Sequence, residues 1–256
     1  MTESIFITGA ARGIGASIAQ AAAGKGYRVG VFDLDGDAAE ETAASLPQAT
    51  AFQGSVTETA DLERALDEFG AAPDAFVSNA GIVRFGPLID MNESDWRSVI
   101  EVNLTGCFLA TRAAARRMID NGGGSIVNIT SINGVAPGPN SGAYAAAKAG
   151  TAMMTQQMSL EWGPAGVRVN SVAPGLIDGG MSAPIFADEE FRQLRVAKVP
   201  VRRLGSCEDV ANAVMFLISP ESSYVTGHQI VVDGGVVNSI IGNLPRPASI
   251  DGVGSD

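Results

Sequence analysis

Short runs of apolar residues alternate along most of the chain with segments whose apolar positions recur every three or four residues. The first run, Ser4-Ile-Phe-Ile-Thr8, enters Gly9-Ala-Ala-Arg-Gly13-Ile-Gly15 and then an alanine-rich stretch to about Lys25, which predicts a strand, a glycine loop and a helix. Residues 27–32 read as the next strand, ending at Asp33, residues 36–46 as a surface helix and 49–53 as a third strand. Ser55-Val-Thr-Glu58 leads into an amphipathic helix to about Phe69. Ala75-Phe-Val-Ser-Asn-Ala-Gly81 predicts a strand entering a loop, and a long helix is expected from about Glu93. Gly124-Ser-Ile-Val-Asn-Ile-Thr-Ser131 reads as a buried strand ending in hydroxyl residues, Ala143–Gly150 as helix, and Val167–Gly175 as a strand ending in a Pro-Gly turn. A helix at 206–218 and a strand at 229–232 complete the pattern. Strands alternating with helices imply an α/β protein, a doubly wound parallel sheet with helices on both faces and right-handed crossovers.

Composition narrows this picture. A chain of 256 residues, 46% hydrophobic and 18% charged, can bury one sizeable core, so a single domain is expected over 1–235, with 236–256 a C-terminal extension lacking periodicity. The formal net charge of −11 argues against binding nucleic acid or an anionic membrane surface and leaves a small molecule as the expected partner. Cys107 and Cys207 stand far apart and are expected to be reduced, buried thiols, while the sole histidine, His228, has no second imidazole or cysteine nearby with which to share a metal. The first predicted strand follows only Met-Thr-Glu-Ser, and no apolar run reaches about 18 residues, so no signal peptide or membrane span is expected and a cytoplasmic location is the default.

Two places carry candidate chemistry. Strand, glycines and helix in that order form the context for a phosphate, because missing Cβ atoms let it approach the backbone and the helix dipole favours its charge. Asp33, eighteen residues after Gly15, can accept both adenosine-ribose hydroxyls and would repel a 2′-phosphate, which favours NAD over NADP. The second place is residues 131–148. Tyr144 and Lys148 are four apart in an alanine-rich helix and leave the same face. Bringing a phenol from a pKa of about 10 toward 7 takes roughly 4 kcal/mol of preference for the phenolate. An ammonium one turn away acts in that sense, and a positively charged ring stacked close by would add to it. Ser131, where open α/β sheets bind ligands, can donate to a substrate oxygen. Asn103, within Val102-Asn-Leu-Thr-Gly106, is locally unfavourable inside a helix and can accept a kink or a bound water.

With these motifs in this order, the sequence resembles the short-chain dehydrogenase/reductases from roughly Ile5 to Gly235. In that family a Ser precedes the Tyr by thirteen positions and the Lys follows by four, as Ser131, Tyr144 and Lys148 do here. The resemblance implies a Rossmann fold with seven strands in the order 3-2-1-4-5-6-7. It also implies a catalytic tetrad of Asn103, Ser131, Tyr144 and Lys148, in which Asn103 anchors a water of the proton relay behind Lys148. The implied dinucleotide contacts are Gly9, Arg12, Gly13, Ile14, Gly15, Asp33, Ser55, Val56, Asn79, Ala80, Gly81, Tyr144, Lys148, Pro174, Gly175 and Ile177.

The sequence departs from the family's pattern at several points. Ser55 stands where relatives carry an Asp that touches the adenine, and Ser78 replaces the first Asn of Asn-Asn-Ala-Gly. Gly179 replaces a common Thr, leaving its cofactor contact to another group such as Ser182. Arg12 is a counter-signal, since a basic residue just before the second glycine often accompanies NADP preference. Asp33 is given more weight because a buried carboxylate facing a phosphate dianion is the costlier arrangement.

Residues 178–200, glycine-rich at the start and closed by Pro200, are expected to move as a lid. Met181, Ile185 and Phe186 would then join Ser131, Asn133 and Tyr144 around an apolar or cyclic secondary alcohol or ketone. The resemblance further implies a homotetramer, with the helices of Asn103 and Tyr144 against a second subunit and the small residues Ala145–Ala147 permitting close approach. The expected activity is reversible, metal-free, NAD-dependent hydride transfer. One alternative is reduction of 3-oxoacyl groups on a carrier protein, although Ser125 and Ala165 replace the arginines that such relatives present. The other is a non-catalytic dinucleotide-sensing protein, against which stands the retention of both Tyr144 and Lys148.

Overall fold

The computed structural model describes residues 3–70 and 72–239. Seven strands form one parallel sheet in the order β3-β2-β1-β4-β5-β6-β7. They are β1 (Ser4–Thr8), β2 (Arg28–Asp33), β3 (Ala49–Gln53), β4 (Ala75–Ser78), β5 (Gly124–Ile129), β6 (Val167–Pro174) and β7 (Gln229–Val232). The helices between them are α1 (Gly13–Gly24), α2 (Gly36–Ala44), α3 (Thr59–Phe69), α4 (Glu93–Ile100), α5 (Gly106–Asp120), α6 (Ala143–Trp162), α7 (Glu189–Val196) and α8 (Cys207–Ile218).

The central strands are apolar at successive positions because both sheet faces are covered. Ile5, Ile7, Val29, Val31 and Val77 pack with Ile18 and Ala22 of α1 and Val210, Val214 and Leu217 of α8. The intervening residues Phe6, Phe32, Phe76 and Ile126 face the other way, onto Leu62 and Leu66 of α3, Ala110 and Ala114 of α5 and Met158 of α6. Phe6 is the hub of this second layer, its ring centroid lying 5.4 to 6.0 Å from those of Phe32, Phe52, Phe69 and Phe76. The β1–β2 register sets Phe6 opposite Gly30, where a Cβ would stand 2.5 Å from the Phe6 ring.

The local structure refines the expected pattern at several points. The long helix after Glu93 is interrupted by a π-turn, Glu101–Thr105, which carries Asn103 at its centre and joins α4 to α5. The expected kink therefore takes the form of one extra residue in a turn, an arrangement often seen at functional sites. α6 continues well past Gly150, to Trp162, and β5 stops at Ile129, two residues before Ser131. Residues 178–200 contain a 3₁₀ segment, Gly180–Phe186, followed by α7.

Cys107 is buried as expected. Cys207 is a correction, because as the first residue of α8 it remains partly exposed. A 3₁₀ turn at Val237–Ser239 begins the C-terminal extension, and the expectation for 240–256 lies outside the described residues. Among the described residues no helix is long and apolar enough to cross a membrane.

Truncating Phe6 to Ala removes a fully buried ring with four aromatic neighbours. The expected cost is about 3–5 kcal/mol, read as a lowered urea midpoint with an unchanged slope.

Candidate active site

The strand order reverses between β1 and β4, where the carboxyl ends of an open parallel sheet leave a crevice for a ligand. Side chains brace the two strand ends. Asn79 Nδ2 donates to the carbonyls of Gly9 (2.7 Å) and Thr8 (3.2 Å), and the Thr8 hydroxyl accepts from the backbone N–H groups of Asn79 (3.1 Å) and Ala80 (3.3 Å). Gly9 and Gly13 hold φ values of +63° and +56°, and a Cβ at Gly15 would lie 2.2 Å from the Gly9 carbonyl oxygen. Arg12 precedes α1 without a side-chain cap, so the first-turn amides, those of Ile14 and Gly15 among them, are left for an anion to satisfy. Together these features fit a dinucleotide pyrophosphate.

Asp33 closes β2 beside this loop. Its Oδ2 accepts from the backbone of Ala11 (3.0 Å) and its Oδ1 from that of Asp35 (3.1 Å). A carboxylate has about four lone-pair positions, so acceptors remain for ribose hydroxyls. The Arg12 guanidinium forms an ion pair with Asp35, with both side chains largely in solvent. Ser55 directs its hydroxyl into a local turn, 2.7 Å from the Thr57 hydroxyl, and its backbone N–H donates to Asp61 (2.9 Å). That bond holds the Asp61 carboxyl below the usual carboxylate range. Val56 is buried against Gly106 and ties this turn to α5.

The four residues of the expected tetrad come together from β5, α6 and the π-turn. Ser131 lies past the end of β5, where its hydroxyl accepts from Asn133 N–H (3.1 Å) and is near enough to the Tyr144 phenol to favour its ionised form. Lys148, one turn beyond Tyr144 on α6, is only 4% exposed, and its ammonium donates to the Ile129 carbonyl (2.8 Å). Its Nζ lies 5.6 Å from the centroid of the Tyr144 ring. Asn103 is fully enclosed and clasps the loop after β4. Its Nδ2 donates to Ile82 O (2.8 Å) and Val99 O (2.9 Å), and its Oδ1 accepts from Ile82 N–H (3.3 Å). Gly81 fits between Asn103 and Lys148, since a Cβ there would stand 2.5 Å from Asn103 Oδ1 and 3.6 Å from Lys148 Nζ.

The electrostatics correct one expectation. Burial pushes the Tyr144 phenol above its ordinary value, opposed by the Ser131 hydroxyl, whereas Lys148 was expected to draw it down. The lysine is itself the strained group, because burial lowers its pKa from 10.5 to about 8 and its hydrogen bond runs to a neutral carbonyl. A buried ammonium of this kind in a crevice marks a functional site.

The remaining expected contacts divide. Gly175 follows Pro174 with its N–H on Val232 O (2.9 Å), and Ile177 is buried beside Gly205. A cavity of about 360 Å³ lies behind this turn, lined by Leu176, Ile177, Gly205 and Asp233, and no tetrad residue reaches it. Phe186 is buried and Ile185 partly so, whereas Met181 is 51% exposed. Asn133 Oδ1 accepts from Gly138 N–H (3.2 Å), which leaves its amide N–H groups for another acceptor. Asp178 and Arg192 form an ion pair (2.5 Å) across the 178–200 segment, whose Gly180 approaches Gly13 so closely that a Cβ on Gly13 would lie 2.8 Å from its Cα.

A family model described as Enoyl-(Acyl carrier protein) reductase matches residues 9–237. The chain belongs to the short-chain dehydrogenase/reductases. It is therefore an oxidoreductase built on that family's Rossmann fold. Over 245 residues it is 39% identical to 2-(S)-hydroxypropyl-CoM dehydrogenase 3 of Xanthobacter autotrophicus, covering 91% of this chain and 96% of that one. Over 247 residues it is 40% identical to the (3R)-3-hydroxyacyl-CoA dehydrogenase of Mus musculus, covering 90% and 95%. Among solved short-chain dehydrogenase/reductase structures, a gluconate 5-dehydrogenase from Burkholderia cenocepacia, in complex with NADP and tartrate, superposes with a TM-score of 0.88. That pair shares 32% identity over 93% of this chain and 96% of the other.

Sequence reasoning missed Asp35, Asp61 and Thr151. Asp35 carried a signal, an Asp immediately before a predicted helix, and it caps α2 at Ala38 N–H (3.2 Å). Thr151 stands three residues past Lys148, and its hydroxyl donates to the Asn103 carbonyl (3.2 Å). Nothing in the sequence points to the Ile129 carbonyl as the partner of Lys148.

Replacing Lys148 by Met removes this buried charge. Because the folded-state pKa lies below the unfolded value, the folded chain binds fewer protons between pH 8 and 10.5, and wild-type stability rises through that window. Lys148→Met is therefore expected to melt at or above the wild-type temperature at pH 7 while losing turnover. The difference in melting temperature should shrink in thermal scans from pH 8 to 10.5.

Proposed function

We propose that the chain catalyses reversible hydride transfer between NAD and a secondary alcohol or ketone, with Tyr144 as the general acid and base. The observation that carries this reading is the convergence of the Ser131 hydroxyl, the Tyr144 phenol and the buried Lys148 ammonium beside the glycine-loop crevice. NAD supplies the hydride acceptor for oxidation, and NADH the donor for reduction. Ser131 holds the substrate oxygen and Tyr144 takes its hydroxyl proton. Burial by itself disfavours the phenolate, and the Lys148 ammonium, 5.6 Å from the ring centroid, offsets that cost as the proton moves. Lys148 also binds the ribose hydroxyls, which suits an ammonium whose present partner is a neutral carbonyl. Asn103 supports a proton relay through its carbonyl, since its side chain is occupied by Ile82 and Val99.

Preference for NAD is supported by Asp33, which the backbone of Ala11 and Asp35 holds in place as a carboxylate where a 2′-phosphate would have to sit. The Burkholderia cenocepacia dehydrogenase in complex with NADP makes this a point to test. A second reading, oxidation of a 3-hydroxyacyl thioester, is favoured by the identity to the mouse (3R)-3-hydroxyacyl-CoA dehydrogenase. Such a thioester is itself a secondary alcohol, so the same tetrad would serve it. An acidic carrier protein is a poorer fit, because Ser125 is buried with its hydroxyl on Leu217 O (3.0 Å) and the chain carries a net charge of −11.

The expected assembly is a homotetramer. Ala147 faces the chain's own core, whereas Ala146, Ala149, Met153 (63% exposed) and Leu160 (78% exposed) lie along the outer side of α6, which supports docking of a second copy there. Light scattering checks it, and a monomer at micromolar concentration would remove it.

Tyr144→Phe is expected to lower turnover by about 10²–10⁴-fold with an unchanged far-UV circular dichroism spectrum. NADH absorbance is followed with a panel of linear and cyclic secondary alcohols and one 3-hydroxyacyl thioester, each offered NAD and NADP. Full turnover by the Phe variant would end the assignment.

A further inference from the structure

Arg12 and Asp33 give opposite signals about the cofactor, and a third residue, Asp35, touches both of them. The backbone amides of Ala11 and Asp35 both donate to the Asp33 carboxylate, so the glycine loop, the end of β2 and the start of α2 meet around one side chain. Thr42 of α2 reinforces the junction by donating to the Ala11 carbonyl (2.9 Å). Arg12, next to Ala11, has a guanidinium that could reach a 2′-phosphate bound beside Asp33, yet it is turned onto Asp35. Asp35 is well fixed for this task. Its Oδ1 caps α2 at Ala38 N–H (3.2 Å), its backbone N–H is held by Asp33, and its Oδ2 is left for Arg12. Asp37 in the first turn of α2 adds another negative charge to the same corner.

We propose that Asp35 is a positioning residue that sets cofactor preference through Arg12, keeping its guanidinium from the 2′-phosphate of NADP. The proposal rests on the NAD reading above and extends it. Asp33 excludes the phosphate by repulsion, and Asp35 withholds the cation that would otherwise compensate for it. Both charged side chains lie largely in solvent, so the pair biases the choice and does not lock it.

Asp35→Asn tests this cleanly, since Asn caps a helix as well as Asp and only the charge is removed. Values of kcat/KM for NAD and NADP are measured for wild type, Asp35→Asn, Arg12→Gln and the double variant. Binding of adenosine 2′,5′-bisphosphate and of 5′-AMP is measured by calorimetry on the same four proteins. Asp35→Asn is expected to raise the NADP-to-NAD ratio and the relative affinity for the bisphosphate by about fivefold. The double variant should return both to the values of Arg12→Gln alone. An unchanged ratio in Asp35→Asn, or a gain that persists without Arg12, overturns the proposal and leaves NAD preference standing. Wild-type preference for NADP overturns the NAD reading and, with it, the proposal.

Discussion

An ammonium group with 4% of its residue's surface exposed is the arrangement around which this molecule is organised. Holding Lys148 there lowers its affinity for a proton and works against stability near neutral pH. The surrounding structure has to supply the compensation. β5 ends so that the Ile129 carbonyl can accept from Nζ, and Gly81 omits a side chain so that Asn103 and Lys148 can both approach the loop after β4. The π-turn places the Asn103 side chain where it can clasp Ile82, and the Asn103 carbonyl accepts from Thr151 of the same helix as the lysine. Each of these contacts brings a separate segment of the chain up to that charge.

The cofactor end follows a different logic. There the backbone is brought close to the space for a pyrophosphate by removing side chains, and the remaining polar groups brace strand to strand. Asn79 and Thr8 tie β1 to β4 on either side of the point where strand order reverses. Asp33 is oriented by two backbone amides, which preorganises it as an acceptor. The cleft is thus a set of fixed dipoles and one fixed carboxylate, while the end at Ser131 and Tyr144 is a pair of hydroxyls with a buried cation behind them.

The two ends differ in how legible they were. Alternating apolar runs located the strands to within a residue or two, because in an all-parallel sheet both faces are buried and apolar residues run nearly unbroken. Four-residue spacing brought Tyr144 and Lys148 to one face of a helix for the same kind of reason, the geometry of a single element. The direction of the Tyr144 shift was not legible, since it depends on how much protein surrounds the hydroxyl and on where the lysine points. Lys148 turns to a carbonyl from β5, nineteen residues earlier, and no local rule selects that partner. Cys207 was read as buried from its residue type, but the start of α8 leaves it partly exposed.

What the sequence determined by itself was therefore everything governed by neighbours along the chain: the elements, the glycine loop, the Ser-Tyr-Lys spacing and an Asp at the end of β2. Tertiary structure alone decided which charges are relieved and by what. Arg12 meets Asp35 from another element, Lys148 gives its ammonium to the Ile129 carbonyl of β5, and Asn103 closes on Ile82 across a loop. The physical reason is that helix and strand periodicity are properties of a short backbone segment, whereas desolvation and ion pairing depend on distances set only when distant segments pack.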